Sequence, residues 1–197
     1  MDMYTGLSIL SGALILVGFA SYAYSCWRGN TIPTKSTWLV FALLDTIILS
    51  GLIVEGLEQG KNLVNGQILA SAFVGWASFA LACQFGERGW PLKERLCLAG
   101  ACLALVAWAV SGSATFGVVA SLIVTALGFT PMVVTTIKDP TTEDPYTWMI
   151  YAISCFAAIG AIREWTVAEG SQVIVFGIVE VAMAAITWRH KVRQWFL

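Results

Sequence analysis

Charge is scarce in this chain: only 12% of its 197 residues are Asp, Glu, Lys or Arg, about half the share in an ordinary soluble domain. With 11 basic against 12 acidic side chains and a net charge of -1, it lacks the basic field that nucleic-acid binding uses, and no basic patch interleaved with aromatics occurs. Histidine is almost missing. The one present, His190, sits close to the C-terminus, which leaves histidine-built haem, chlorophyll or zinc sites almost nothing to use. The five cysteines, Cys26, Cys83, Cys97, Cys102 and Cys155, are odd in number and lack the paired spacing of zinc ligands. They read as small buried hydrophobes, and neither a cofactor nor a metal is expected. Asp2 is the one charged side chain before the first apolar run, with no Lys or Arg there, so the basic n-region of a cleavable signal peptide is absent and that run is kept as a true helix.

Apolar surface is abundant instead. Hydrophobic residues make up 58% of the chain and nine are tryptophan, more than a single core of this size can hide from water. Seven apolar stretches meet the roughly 20 residues needed to span a bilayer core as a helix, over approximately 6–27, 36–54, 66–85, 95–111, 114–137, 146–165 and 171–190. Because the runs are continuous rather than alternating, helices are expected and not a membrane barrel. The fold class expected is therefore an all-α polytopic membrane protein with seven transmembrane helices. Sorting the connections by side puts nine of the eleven basic residues on one face: Arg28, Lys35, Arg88, Lys93, Arg95, Lys138, Arg189, Lys191 and Arg193. Only Lys61 and Arg163 fall on the other. The cytoplasmic excess of Lys and Arg then predicts an N-terminus outside and a C-terminus inside.

The chain also repeats itself. At an offset of 110, Gly18-Phe19 aligns with Gly128-Phe129, Thr31 with Thr141, Thr37-Trp38 with Thr147-Trp148 and Ala42 with Ala152, six identities in 25 positions without a gap. Arg28 with Lys138, Ser25 with Thr135 and Phe41 with Tyr151 are conservative matches. The third helices align at an offset of 105 through Gln67 with Gln172, Ala77 with Ala182 and Ala80 with Ala185. Spans one and five run in the same direction, so the halves are parallel and need one inverting helix between them. The expectation is a 3+1+3 arrangement: a first three-helix repeat over 6–85, a linker helix within 86–112, a second repeat over 113–190 and a cytoplasmic tail at 191–197. Asp144-Pro145 supplies an N-cap and first-turn proline for span six, and Thr34 occupies the equivalent cap of span two.

The connection Phe129-Thr130-Pro131, Thr135-Thr136-Ile137-Lys138 and on to Trp148 resembles the PQ-loop and SWEET superfamily of seven-helix transporters, whose repeats carry a helix-kinking proline followed by a short basic cytoplasmic loop. The resemblance covers most of the chain. It implies two triple-helix bundles related by a pseudo-two-fold axis along the membrane normal, with a solute pathway between them and a hinge at Pro131. The chain departs from the pattern: Met132 follows Pro131 where the family has glutamine, Ser21 stands where the first repeat would pair with Pro131, the aromatic and tyrosine-glycine pattern that follows the second SWEET helix is missing, and the Thr-Trp pair at each second-helix start is not a SWEET hallmark. Sugar carriers, PnuC-type vitamin carriers, the lysosomal cystine carrier and the KDEL receptor share similar folds, so fold does not choose among functions.

Two ionisable side chains lie deep within spans, Asp45 in span two and Glu180 in span seven. A charge at mid-bilayer costs about 2.5–3.5 kcal/mol, so such residues face a cavity or a partner. No buried Lys or Arg is available to pair with them, which suits proton uptake during transport or binding of a cation or amine; the bland alternative is a protonated acid acting as packing glue. The resemblance implies that a polar side chain at Glu180's depth lines the solute pocket, and its repeat counterpart is Gly75, beside the mid-span Trp76. Trp38 and Trp148 occupy matched positions at the inner starts of spans two and six, as an inner gate or as ordinary interface anchors. Thr46, Ser50, Ser154 and Gln84 are candidate hydrogen-bond donors to a pocket or simply bond their own helix backbones. Glu55, Glu58, Glu164 and Glu169 cluster at the expected outer mouth.

A retinal protein is excluded because the spans contain no lysine for a Schiff base. An enzyme is not expected, since isolated acids and one terminal histidine offer no nucleophile with its base and no metal set. The function expected is small-solute transport by alternating access through a central pocket, with a membrane receptor or sensor of the same fold, or a structural subunit of a membrane complex, as the rivals. Expected partners are a small-molecule solute and the lipid bilayer, with a homo-oligomer compatible. Short loops without glycosylation sequons make the bacterial cytoplasmic membrane the default location.

Overall fold

In a computed structural model of the protein, residues 2–60, 64–86, 88–111, 114–163, 165 and 167–195 are described, without the side chains at 51, 54, 55, 59, 108, 111, 114–119, 121, 122, 167–169, 171, 172 and 193–195. The described residues are helical throughout, with no strand among them: α1 (Met3–Trp27), α2 (Lys35–Gln59), α3 (Gly66–Phe85), α4 (Leu92–Ser111), α5 (Ala114–Lys138), a 3-10 turn (Pro140–Thr142), α6 (Pro145–Ala161) and α7 (Val167–Trp195). Three stretches, Met3–Trp27, Gly66–Phe85 and Val173–Val192, are long and apolar enough to cross a membrane. α6 has 17 residues, and α4 begins with Lys93, Glu94 and Arg95, so both offer shorter apolar runs than the composition of the chain led one to expect.

Local chemistry sets the helix ends. Asp2 caps α1 by accepting from the Thr5 amide at 2.8 Å, Asn65 caps α3 through the Ile68 amide at 2.9 Å, and α6 starts on Pro145 with Asp144 accepting from the Thr147 amide at 2.9 Å. Thr34 is the N-cap residue of α2 as expected, but its side chain makes no cap bond. That role passes to Glu94 of α4, whose Oε2 accepts from the Ser36 amide at 2.9 Å.

The packing partners fall into a pattern. α3 packs against both α1 and α2, and α7 against both α5 and α6. Between these groups α1 meets α6 and α2 meets α5, while α4 lies on α5 and touches α2. The two cross-seams close in equivalent ways: a Cβ on Gly18 would meet the side chains of Tyr151 and Ile150, and a Cβ on Gly128 would meet those of Phe41 and Val40. Each residue of the second set is 110 positions from its counterpart in the first. The α1–α6 seam adds a reciprocal serine pair, with Ser11 Oγ donating to the Ser154 carbonyl and Ser154 Oγ to the Ser11 carbonyl, both at 3.0 Å.

Small polar residues are buried within the apolar core, and many large apolar residues face outward. Ser11, Thr37, Ser78, Thr147 and Ser154 are fully buried, whereas Val17, Phe73, Leu103, Val106, Phe156 and Ile178 are more than half exposed. Such a surface favours lipid over water as its solvent, and small hydroxyl residues at helix contacts suit packing in lipid, where the hydrophobic effect no longer drives helices together. One end of the bundle gathers the α1–α2, α3–α4 and α5–α6 connections: Lys35 Nζ reaches the Gly89 carbonyl at 2.9 Å, Lys93 Nζ reaches Thr135 Oγ1 at 2.8 Å, and the Ile32 amide donates to the Thr142 carbonyl at 3.0 Å. Lys191 of α7 lies 4.0 Å over the Tyr146 ring at the same end. At the opposite end Arg163 pairs with Asp2. Of the expected outer-mouth acids, Glu58 is exposed, while Glu55, Glu164 and Glu169 lie outside the described side chains.

Candidate functional site: a central acidic and aromatic cavity

α1, α2, α3, α5, α6 and α7 surround a cavity of about 40 Å³, room for a few waters. Its acids are Asp45 and Glu180, and its walls include Trp38, Phe41, Phe129, Trp148, Tyr151 and Phe176. None of the lining residues is Lys or Arg. Asp45 is 3% and Glu180 5% exposed, so both carboxyl groups lie in the interior of the bundle, out of bulk solvent. The two halves contribute matched positions: Trp38 with Trp148 and Phe41 with Tyr151 at the offset of 110, Gly75 with Glu180 and Ser71 with Phe176 at 105.

α3 approaches this cavity closely because it carries a glycine where it meets α2. A Cβ on Gly75 would sit 2.9 Å from the Ala42 Cα, so any side chain there would push α3 off α2. On one wall Phe41, Phe129 and Phe176 form a mutual aromatic cluster with centroids 4.3, 5.2 and 5.3 Å apart. Cys155 donates its thiol to Glu180 Oε2 at 2.9 Å, and Gln67 Nε2 donates to the Cys155 sulfur at 3.5 Å. Cys26 and Cys155 are buried, as expected of small hydrophobes, whereas Cys83 and Cys102 are exposed.

Sequence reasoning placed Asp45, Glu180, Trp38 and Trp148 in a pocket, and the structure brings these four together around one cavity. It places Trp76, Thr46 and Ser50 elsewhere. Trp76 is 43% exposed, and its Nε1 donates to Thr46 Oγ1 at 2.9 Å; Thr46 in turn bonds the Ala42 carbonyl and Ser50 the Thr46 carbonyl, so all three sit on the outer face of α2 and α3. Ser154 is committed to the seam with Ser11, and Gln84 is exposed. Pro131 is buried inside α5, which continues through it to Lys138. Its missing N–H and ring leave the preceding turn short of a bond, and here Thr37 Oγ1 of α2 donates to the nearby Gly128 carbonyl at 2.7 Å.

Two residues at the site were not found from the sequence. Tyr151 is 3% exposed, and its hydroxyl has no hydrogen-bond partner. The signal was available: it is the position where one repeat has Phe41 and the other adds a hydroxyl. Glu143, 4% exposed, accepts from Trp148 Nε1 at 3.1 Å. Burial pushes its carboxyl up to about 8 with Asp144 adding to the rise, while the indole bond opposes it. Nothing in the sequence around Glu143 distinguishes it from a solvated loop acid.

No family model, curated relative or solved structure matches this chain.

Proposed function

We propose that the protein is a multi-pass membrane transporter for a small cationic solute, with two triple-helix bundles, α1–α3 and α5–α7, joined by α4 and working by alternating access around the central cavity. One observation carries the reading: a buried cavity that presents two carboxyl groups, an unpartnered tyrosine hydroxyl and several aromatic faces, and no basic side chain. An ammonium group in that space would be attracted by the carboxyls and by the ring faces, and the Tyr151 hydroxyl would supply a neutral hydrogen bond to the rest of the solute. The same acids suit proton exchange during the return step. At about 40 Å³ the cavity is smaller than such a solute, so loading requires the bundles to part at one end, and the seams closed by Gly18 and Gly128 are where they would separate. The paired packing of the cross-seams supports a duplicated architecture, and the gathering of basic residues at one end supports a cytoplasmic location for the α1–α2 connection.

The test is uptake of a panel of monovalent amines, with sugars, amino acids and vitamins as comparators, into liposomes holding the purified protein under an inside-negative potential. Amine uptake is expected in the wild type and is expected to fall about ten- to hundredfold in Glu180→Gln, the equivalent of losing a charge-assisted bond of about 1.5–3 kcal/mol. If no compound is carried or raises thermal stability, and Glu180→Gln behaves as wild type, the acidic pocket is packing glue and the protein is a structural subunit.

A further inference from the structure

The two tryptophans of the cavity are held by different chemistry. Trp38 Nε1 donates to the Tyr22 hydroxyl at 2.8 Å, with the rings 5.1 Å apart. At the repeat offset Tyr22 corresponds to Met132, whose thioether is a weak acceptor. Trp148 turns instead to Glu143, in the connection that leads into α6. That connection is anchored on both sides of the acid: the Thr142 carbonyl accepts from the Ile32 amide, and the Asp144 carboxylate takes the Ser21 hydroxyl at 3.0 Å together with the Thr147 amide and hydroxyl. Glu143 is therefore presented to the indole by a fixed frame.

We propose that Glu143 is the positioning residue for Trp148, and that loss of its proton releases the indole from the inner end of the cavity. A neutral carboxyl can stay buried while accepting from the indole, whereas a carboxylate at the same place demands water or a cation. Its surroundings offer acids instead. Tyr22 and Cys26 face it from α1 and Tyr151 from α6, and Asp144 lies beside it on its own segment. His190 of α7 acts at the far end of the connection, on Asp139. The indole bond favours the carboxylate but is outweighed by the cost of keeping the charge buried, so ionisation of Glu143 swings the side chain out toward water and removes the bond that holds Trp148. Trp38 does not share this response, because a tyrosine hydroxyl carries no charge near neutral pH. One indole is fixed and its twin answers to pH. That this pair closes the cytoplasmic end of a solute path rests on the transporter reading; the dependence of Trp148 on Glu143 does not.

The experiment is fluorine NMR of the full chain labelled with 5-fluorotryptophan in detergent, with the Trp148 signal assigned by Trp148→Phe. In the wild type the Trp148 signal is expected to shift with a midpoint near 8, while the Trp38 signal stays in place. Glu143→Gln, which keeps a neutral acceptor, is expected to hold Trp148 at its low-pH position throughout, and Glu143→Ala to leave it at the high-pH position. A wild-type Trp148 signal that does not move over about two pH units either side of the midpoint, or one that moves equally in Glu143→Gln, overturns the proposal. If Trp148 titrates as expected while no amine is carried in liposomes, the positioning role stands and the transport reading falls.

Discussion

At the scale of single residues, the structure assigns a distinct task to one acid that looks like an ordinary start of a helix. Glu94 lies in the first turn of α4, where a carboxylate already suits the helix dipole, and it reaches across to cap α2 through Ser36. Two helix N-termini therefore converge on one buried carboxyl, 3% exposed. Glu94→Ala should lower stability by about 1–2 kcal/mol, the usual loss on removing a cap, and Glu94→Gln, which keeps an acceptor, by less. Unfolding in mixed micelles by added SDS checks the order, and faster amide exchange at Ser36 in the Ala variant would place the damage at the start of α2. Asp45 and Glu180 were legible because an acid within an apolar run stands out in any sequence. Trp76, Thr46 and Ser50 were misplaced for a related reason. Depth along a helix can be counted, but adjacent residues point about 100° apart, and a helix apolar on every side gives no clue to which face is inward. Asp45 lines the cavity while its neighbour Thr46 bonds to an exposed indole.

At the scale of elements, close helix contact depends on positions without a side chain. A Cβ on Gly12 of α1 would lie 2.5 Å from the Gly66 carbonyl oxygen, and one on Gly66 of α3 would lie 2.5 Å from the Ser8 carbonyl oxygen. Both obstacles are backbone, which cannot rotate away. By contrast, a Cβ on Gly100 of α4 would meet the end of the Leu127 side chain at 2.9 Å, a group free to change rotamer. Gly12→Ala is therefore expected to destabilise the protein by about 1–3 kcal/mol, the range for overpacking, and Gly100→Ala to be near neutral. Thermal unfolding in detergent compares the two directly, and an equal loss in both would deny that α1 and α3 meet at this spot. The repeat was readable in the first two helices of each half because their seam residues, Gly18 with Gly128 and Phe41 with Tyr151, make matching contacts and so keep matching shapes. The third helices diverged where they line the cavity: Gly75 faces Glu180 in the alignment, and Ser71 faces Phe176. Positions that line the cavity differ at the repeat offset, while the seam positions stay alike.

At the scale of the whole molecule, the distribution of charge and the direction of the helices make one joint statement. The connections that carry Arg28, Lys35, Arg88, Lys93, Arg95 and Lys138 meet at a single end, tied by the Lys35, Lys93 and Ile32 bonds. Asp2 and Arg163 meet at the other. In the multi-pass reading proposed above, that end is the cytoplasmic one, as the usual bias of membrane insertion would have it, and each helix of the bundle crosses in turn. Single-cysteine variants separate this arrangement from any with fewer crossings. With the native cysteines replaced by alanine, and Cys155 by serine to keep a donor for Glu180, Asn30→Cys reports the basic end and Glu58→Cys the opposite end, both at exposed positions. In intact cells a membrane-impermeant maleimide is expected to label Glu58→Cys and to reach Asn30→Cys only after lysis. The reverse pattern would turn the molecule over and put the Glu143–Trp148 contact on the outer face. Labelling of both positions from outside would mean that α2 does not cross, and would overturn the transport reading proposed above.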